Sequence, residues 1–241
     1  MAIVLIPARM ESLRFPGKPL APILGVPMVI RCAHNSKDAG LEPIICTDSD
    51  LIIDVVASKY QINSIKTPNF NTGTDRVHWS AHQIQAEKII NLQGDEPLIS
   101  PDALNKFAKH IDNCTSTKPL IINGLSVLQQ KKAFDPNNVK AVINNFDEVV
   151  YLSRKPLRNS QDSSNDFIYL KQLGLYGFSI DALNQFSSCE QTRLEKAESI
   201  EMLRWIEHRN TLSSLILDTP SISVDTPEDL AEVEHFLALN K

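Results

Sequence analysis

The first half of the chain alternates short apolar runs with longer amphipathic stretches, and this rhythm restricts the fold more than any other feature. The apolar runs cover residues 3–6, 44–46, 62–65 and 88–92, and the helix-like stretches cover residues 28–39, 51–59 and 75–86. Such alternation is typical of βαβ units, whose strands are apolar because helices cover both faces of a parallel sheet. The sequence therefore predicts an α/β fold with a doubly wound, mostly parallel sheet.

The middle of the chain has a different pattern, in which one strand-like segment follows another. These segments cover residues 121–128, 139–143, 149–153 and 168–178. Consecutive strands with few helices between them favour an inserted, mostly antiparallel lobe. We therefore predict one α/β domain made of residues 1–119 and 191–241, and an inserted lobe made of residues 120–190.

Three segments complete this prediction. Residues 158–166 are polar and lack apolar periodicity, which indicates a loop. Residues 193–208 have helical spacing and predict a single helix. Residues 221–224 predict the last strand, and the Asp-Thr-Pro sequence that follows it predicts the start of a terminal helix over residues 228–239.

The composition argues against several classes of partner. A net charge of -5 gives no general attraction to nucleic acid or to an anionic membrane. No apolar run approaches the ~20 residues of a membrane span, and no secretory leader is expected. The four cysteines lie far apart, which favours reduced thiols over a disulfide framework or a zinc site. We expect a cytoplasmic protein with a small-molecule partner.

The loop over residues 7–20 carries Arg9, Arg14 and Lys18. It follows the first strand, and the carboxyl ends of parallel strands border the ligand crevice in folds of this class. Gly17 would let the backbone approach a phosphate, and the flanking prolines would stiffen the loop. The loop matches neither the dinucleotide-binding nor the P-loop motif. Triphosphate binding is the natural use, and a solvated basic loop is the alternative.

Two aspartates follow predicted strands at the same edge of the sheet. Asp95 comes after the strand over residues 88–92, and Asp225 comes after the last predicted strand. Two carboxylates that face a triphosphate loop would suit Mg²⁺. The alternative for Asp225 is a helix N-cap without a chemical role.

The segment over residues 71–76 lies between a predicted strand and a predicted helix. Its backbone N–H groups and hydroxyls would suit a base or a ribose. An ordinary capping turn is the alternative.

With these segments, the chain resembles the 3-deoxy-manno-octulosonate cytidylyltransferases, also called CMP-Kdo synthetases, over nearly its whole length. The matching motifs in the first half are Pro7-Ala8-Arg9, Ser12, Arg14, residues 16–20, residues 72–76 and residues 91–97. The matching motifs in the second half are residues 134–137, Val139-Lys140, Ser153-Arg154, residues 173–177, Leu194-Glu195, Glu198, Glu201, Arg204 and residues 224–230.

The resemblance implies a nucleotide-diphospho-sugar transferase-like fold and assigns roles to individual residues. Arg9, Lys18, Asp95 and Asp225 would be the catalytic residues, and the two aspartates would bind Mg²⁺. The nucleotide would lie against Pro7, Ala8, Arg9, Lys18, Thr72, Gly73, Thr74, Arg76 and Gln93. The sugar acid would lie against Arg14, Gln93, Gln172, Tyr176, Glu195 and Glu198.

The resemblance also implies a reaction and an assembly. The anomeric hydroxyl of the sugar acid would attack the α-phosphate of CTP and release pyrophosphate, without a covalent enzyme intermediate. The lobe over residues 120–190 would bind the sugar and form a homodimer. From the residues alone, Glu195, Glu198 and Glu201 share one face of the predicted helix, which more often indicates a solvated stripe.

The chain departs from the family pattern in the lobe expected to cover the sugar. The family usually has His where Gln172 stands, and a longer segment with Pro and Arg where residues 155–160 stand. Glutamine neither titrates nor carries charge as histidine does. An amino-substituted or otherwise modified octulosonate therefore stays open as the substrate.

Two other functions are weighed against this one. A CMP-sialate synthetase would share the opening loop but usually lacks the Gln-Gly-Asp-Glu-Pro run that stands here at residues 93–97. A non-catalytic nucleotide-binding protein with this fold is disfavoured because Lys18, Asp95 and Asp225 are all present.

Overall fold

The structure, a computed structural model, describes residues 2–12, 14–115, 119–156, 168–220 and 222–240. The polar segment predicted as a loop, residues 158–166, lies outside the described residues. The strands are β1 (Ile3–Ala8), β2 (Pro22–Ile23), β3 (Val26–Pro27), β4 (Pro43–Thr47), β5 (Asn63–Lys66), β6 (Lys88–Leu92), β7 (Ile121–Leu128), β8 (Lys140–Ile143), β9 (Val149–Ser153), β10 (Tyr169–Ser179) and β11 (Leu212–Ile216).

The helices are α1 (Met28–Asp38), α2 (Asp50–Tyr60), α3 (Gly73–Gln83), α4 (Pro101–Asn113), α5 (Ile180–Ser188), α6 (Arg193–Glu198), α7 (Met202–Glu207) and α8 (Pro227–Leu239). Short 3₁₀ turns lie at Lys18–Leu20 and Gln130–Phe134. Side-chain caps explain several helix starts, because Ser49, Thr72, Ser100, Ser179 and Thr226 each accept a bond from a backbone N–H in the first turn.

The central sheet has the strand order β11-β7-β10-β6-β1-β4-β5. The pairs β1–β4, β1–β6, β4–β5 and β11–β7 are parallel, and β10 is antiparallel to both β6 and β7. The short strands β8 and β9 pair with each other and branch from β10. The predicted doubly wound, mostly parallel α/β fold is therefore confirmed.

Alternate residues of β1 divide the core between the two faces of the sheet. Val4 and Ile6 belong to the cluster under α1, α2 and α4, which includes Val29 and Phe107. Leu5 belongs to the cluster on the opposite face, under α3, α5 and α7. Val4, Leu5 and Ile6 are fully buried, as expected for a strand covered on both sides.

The segment predicted as an inserted lobe takes part in the central sheet. Its strands β7 and β10 lie between β11 and β6, so the sheet is continuous from one part of the chain to the other. Only β8 and β9 project from this sheet as an antiparallel addition. The division into two domains stays a prediction.

Two expectations about the C-terminal part were wrong. Residues 222–224 form no strand, and the edge strand is β11, which precedes them and runs parallel to β7. Ile222 and Val224 pack instead in a small apolar cluster, and the backbone N–H of Val224 donates to Asp95 O. The single helix predicted over residues 193–208 is two helices, because Ser199 has a φ of 54°, which no α-helix accommodates.

The four cysteines are free, as predicted, and Cys32 and Cys46 are buried. None of the helices in the described ranges is both long and apolar enough to cross a membrane.

Candidate active site

A cavity of about 560 Å³ opens where β1 and β6 end. The carboxyl ends of parallel strands meet at this edge, so residues that are far apart in sequence line one space. Eleven of the predicted site residues line it: Pro7, Ala8, Arg9, Arg14, Lys18, Thr72, Gly73, Arg76, Gln93, Asp95 and Asp225. The structure thus brings together the basic loop, the segment before α3 and both aspartates.

Lys18 lies between the two aspartates. Its Nζ donates to Asp95 Oδ2 at 2.8 Å and to Asp225 Oδ1 at 3.3 Å, and it also donates to Val224 O at 2.8 Å. Burial by itself would lower the pKa of Lys18, but the charges and hydrogen bonds of Asp95 and Asp225 outweigh burial and raise it. Lys18 is therefore a permanently charged ammonium at neutral pH.

The loop before Lys18 folds back on itself, which fixes the position of this ammonium. Gly17 has a φ of 73°, a left-handed conformation that a side chain would strain, and its N–H donates to Met10 O. The N–H of Lys18 donates to Phe15 O. The glycine is thus needed for the turn that directs Lys18 toward the aspartates.

The two arginines of the loop lie at the rim of the cavity. Arg14 is paired with Asp225 at 3.0 Å, yet its side chain is 57% exposed. Arg9 donates to Asn71 O at 3.2 Å. Each guanidinium has five N–H donors, so both arginines keep donors for an anion in the cavity.

The segment over residues 71–76 both caps helix α3 and lines the cavity. The Thr72 side chain caps α3 by accepting from the N–H of Asp75, so the capping turn is present. The same turn also lines the cavity, with Thr72 and Gly73 at its wall. The start of α3 therefore brings the positive end of a helix dipole to the cavity.

Arg76 lies at the wall of the cavity, but its guanidinium is bound within the protein. It is 2% exposed, pairs with Asp48 at 2.9 Å and donates to Thr67 Oγ1. Arg76 therefore has a structural role, because its ion pair connects α3 to the loop after β4.

A smaller cavity of about 190 Å³ shares Gln93 and Glu201 with the larger one. Besides Gln93, three predicted site residues, Thr74, Gln172 and Tyr176, line the smaller cavity. Burial raises the pKa of Tyr176, so its hydroxyl stays protonated at neutral pH. The two cavities adjoin at Gln93 and Glu201, as a larger and a smaller compartment of one site.

Glu201 lies where the two cavities meet, and it was not among the predicted site residues. Its Oε2 accepts a hydrogen bond from Thr74 Oγ1, and burial raises the pKa of its carboxyl group. The helix break at Ser199 directs Glu201 toward the cavities. Helical periodicity alone could not reveal this placement, since it assigned Glu201 to a solvated stripe.

Glu195 and Glu198 are bound within the protein, although the sugar was expected to contact them. Both oxygens of Glu195 accept from Arg204, and the residue lines a third recess of about 350 Å³. Glu198 lines neither compartment, and it accepts from Ser153 Oγ and the N–H of Arg154. These glutamates stabilise the wall around the site, because the break after Glu198 separates their face from that of Glu201.

Asp95 and Asp225 are a suitable pair for one divalent cation. Their carboxylates converge on the same ammonium, and their side chains keep 31% and 27% exposure beside the cavity. Within the described part of the chain, no cluster of three or more potential metal ligands exists. Mg²⁺ commonly takes one or two carboxylates and completes its shell with water and phosphate oxygens. The residues present therefore fit Mg²⁺ held jointly with a nucleotide.

The chain is similar in sequence and in fold to known cytidylyltransferases. The family model for cytidylyltransferases matches residues 3–213. A 3-deoxy-manno-octulosonate cytidylyltransferase of Chloroherpeton thalassium is 33% identical, with 98% of each chain covered. An 8-amino-3,8-dideoxy-manno-octulosonate cytidylyltransferase of Shewanella frigidimarina is 34% identical, also with 98% of each covered. The solved structure of a CMP:2-keto-3-deoxy-manno-octonic acid synthetase complexed with CTP superimposes with a TM-score of 0.88 at 30% identity, covering 100% of this chain and 99% of that one.

Proposed function

The chain belongs to the cytidylyltransferase family, and we propose that it transfers CMP from CTP to the anomeric hydroxyl of 3-deoxy-manno-octulosonate (Kdo) or a close analogue, for lipopolysaccharide or capsule synthesis. The observation that carries this proposal is the convergence of Lys18, Asp95 and Asp225 at a cavity that adjoins a second polar compartment. A two-compartment site suits a reaction that joins a nucleotide to a second small molecule.

CTP would occupy the larger compartment. Its phosphates would lie against Lys18 and the exposed arginines Arg9 and Arg14, which supply positive charge at the rim. Its ribose and base would lie near the segment over residues 72–74 and the wall formed by Pro7 and Ala8.

Mg²⁺ would be held by Asp95 and Asp225. When bound, this ion would neutralise charge on the phosphate oxygens. Lys18 would keep both carboxylates in place before CTP arrives, because it contacts each of them. The ammonium would also stabilise the negative charge that develops at the phosphates.

The sugar acid would occupy the smaller compartment. Its hydroxyls would meet the polar side chains of Gln93, Gln172, Tyr176 and Glu201. The anomeric hydroxyl would attack the α-phosphorus of CTP and lose its proton to water, the bond between the α-phosphorus and the bridging oxygen would break, and pyrophosphate would leave. Positioning and charge stabilisation account for catalysis in this proposal, so no protein nucleophile is needed.

The names of the relatives indicate two candidate sugar acids. Relatives named for the unsubstituted octulosonate and for its 8-amino analogue have nearly equal identity to this chain, 33% and 34%. Overall similarity therefore does not separate the two acids, and both belong in a substrate assay.

A cytoplasmic location and a homodimer complete the proposal. Several large apolar side chains are exposed on and beside β7, β8 and β9, among them Phe146 at 83% and Val150 at 48%. Covering such residues with a second copy would remove apolar surface from water.

The function is tested by incubating the purified protein with CTP, Mg²⁺ and a panel of sugar acids that includes Kdo, 8-amino-Kdo and sialic acid. We expect pyrophosphate release and a CMP-sugar of the corresponding mass with an octulosonate. CTP binding without product from any acid would instead support the nucleotide-binding alternative, and turnover restricted to sialic acid would contradict the octulosonate assignment.

Asp95→Asn tests the proposed metal site in the same assay. Removing one carboxylate should lower kcat by at least ~100-fold, because it removes a ligand of the Mg²⁺ that would neutralise charge on the phosphate oxygens, while CTP binding is partly retained. Asp54→Asn is the matched control, since Asp54 is exposed on α2 away from the site. Unchanged turnover in Asp95→Asn would remove this residue from the metal site.

A further inference from the structure

Two glutamines border the smaller compartment, and each one is anchored by a buried asparagine. The Nε2 of Gln93 donates to Asn91 Oδ1 at 3.1 Å, and the Nε2 of Gln172 donates to Asn123 Oδ1 at 2.8 Å. Asn91 and Asn123 are fully buried, and both are paired in register with Tyr176 from opposite sides of β10. The two glutamine amides are therefore held by the sheet beneath the compartment.

The orientation of Asn123 is fixed by the backbone around it. Its Nδ2 donates to the carbonyl oxygens of Gly124, Leu173 and Leu175, at 3.1 to 3.2 Å. The pairing of β10 with β7 is irregular between Gln172 and Tyr176, where two of these carbonyls lie. Because the Asn123 amide nitrogen is bound in this way, its Oδ1 is left to accept, and Gln172 has to donate to it.

The Gln172 amide consequently presents its acceptor to the compartment. Its Nε2 is turned to Asn123, and among the described residues its Oε1 accepts no hydrogen bond. Glu201 adds a carboxylate to the same wall. Among the described residues that line this wall, Arg154 is the one with a positive charge. Its guanidinium donates to the backbone carbonyls of Pro136, Glu198 and Ser199. At Gln172 the smaller compartment therefore presents an acceptor, beside the donors of the Tyr176 hydroxyl and of the remaining Arg154 N–H groups.

We propose that Gln172, held in place by Asn123, selects sugar acids that put a hydrogen-bond donor, a hydroxyl or an ammonium group, into the smaller compartment. This inference rests on the proposed function. A buried acceptor left unpaired is unfavourable, so an acid that lacks the donor is rejected more strongly than lost contact area alone would require.

The test compares substrates rather than rates alone. The wild-type protein and Gln172→Met are assayed with Kdo, its monodeoxy analogues and its 8-amino analogue, at saturating CTP. Methionine keeps the length of the side chain and removes the amide acceptor. We expect one deoxy analogue to be at least ~100-fold worse than its parent in kcat/KM for the wild type, and this discrimination to shrink by ~10-fold or more in Gln172→Met.

Asn123→Leu tests the positioning role of Asn123. Without the Oδ1 acceptor, the Gln172 amide is no longer held in one orientation, so this variant should lose the same discrimination. The double variant should lose no more than either single variant, because the two residues act as a unit. Thermal unfolding and the KM for CTP show whether each variant is folded. Gln83→Met, at the exposed end of α3, is the matched control.

The outcomes separate this inference from the proposed function. A wild-type protein that makes no CMP-sugar from any acid contradicts the function itself. A wild-type protein that turns over an octulosonate, while Gln172→Met keeps the full discrimination, overturns the role of Gln172. The same conclusion follows if no deoxy analogue is disfavoured by the wild type. Preference for the parent acid identifies a hydroxyl as the donor, and preference for the 8-amino analogue identifies an ammonium group, so either preference supports the proposal.

Discussion

Two ion pairs, Glu195–Arg204 and Asp50–Lys66, have similar chemistry but differ in how far their side chains are exposed to solvent. Glu195 and Arg204 are 5% and 6% exposed and share two hydrogen bonds, and the guanidinium also lies 4.8 Å from the ring centroid of Phe186. Asp50 and Lys66 are 85% and 48% exposed. Water screens the second pair and cannot screen the first, so the loss of one partner should have very different consequences for stability.

Arg204→Met should lower the free energy of unfolding by roughly 3–5 kcal/mol, because it leaves the Glu195 carboxylate buried without its partner. Lys66→Met is the control, and it should change the free energy by about 1 kcal/mol or less. Urea unfolding of the three proteins provides the measurement. Equal effects of the two substitutions would show that burial does not govern the contribution of the Glu195–Arg204 pair.

The sequence identifies most residues of the larger compartment because they follow strands whose apolar character is easily recognised. Lys18 and Asp95 are examples, since each follows a buried strand and lines the expected edge of the sheet. Asp225 lines the same edge although the segment before it forms no strand. Glu201 depends instead on the left-handed backbone at Ser199. Serine has no special preference for that conformation, so only the tertiary packing around residues 195–204 determines it.

At the scale of elements, strands and helices of the α/β part are predicted to within about two residues, because hydrophobic periodicity is strong there. The wrong predictions concern segments whose apolar periodicity does not match their secondary structure. Residues 222–224 alternate like a strand but have no ladder, and β11 contains serines at Ser213 and Ser214 that weaken its apolar signal. Helix α5 was also missed, and its capping residue Ser179 is the last residue of β10.

Gly177 shows how closely α4 packs on β10. A Cβ atom at this position would lie 2.2 Å from Ile111 Cδ1 and 2.7 Å from Ile111 Cγ1. Gly177→Ala should therefore destabilise the protein by about 1–3 kcal/mol through overpacking.

Ile111→Ala provides the second arm of a double-mutant cycle, measured by urea unfolding. Alone it should cost about 2–5 kcal/mol by leaving a cavity. Combined with Gly177→Ala, it should cost less than the sum of the two, because the new methyl group fills part of that cavity. Strictly additive effects would contradict a direct clash between α4 and β10.

At the scale of the whole molecule, the proposed dimer explains why apolar side chains remain in water near the branch formed by β8 and β9. In sedimentation equilibrium, the wild-type protein should have twice the chain mass of 26.9 kDa. A variant with Phe146→Asp and Val150→Asp should dissociate, because charges disfavour burial at an interface. Leu51→Asp, which changes an exposed residue on α2, should leave the dimer intact. A wild-type mass of one chain at micromolar concentration would contradict the proposal.

The bond between Lys18 and Asp225 joins residues that are 207 positions apart. At about 5–20 residues per second, the ribosome needs roughly 10–40 s to travel from one to the other. During that interval β1 and its basic loop already exist, but the second carboxylate has not yet been made. A growing chain therefore carries the proposed metal site without its second carboxylate throughout most of its synthesis, and translation past Asp225 supplies that carboxylate.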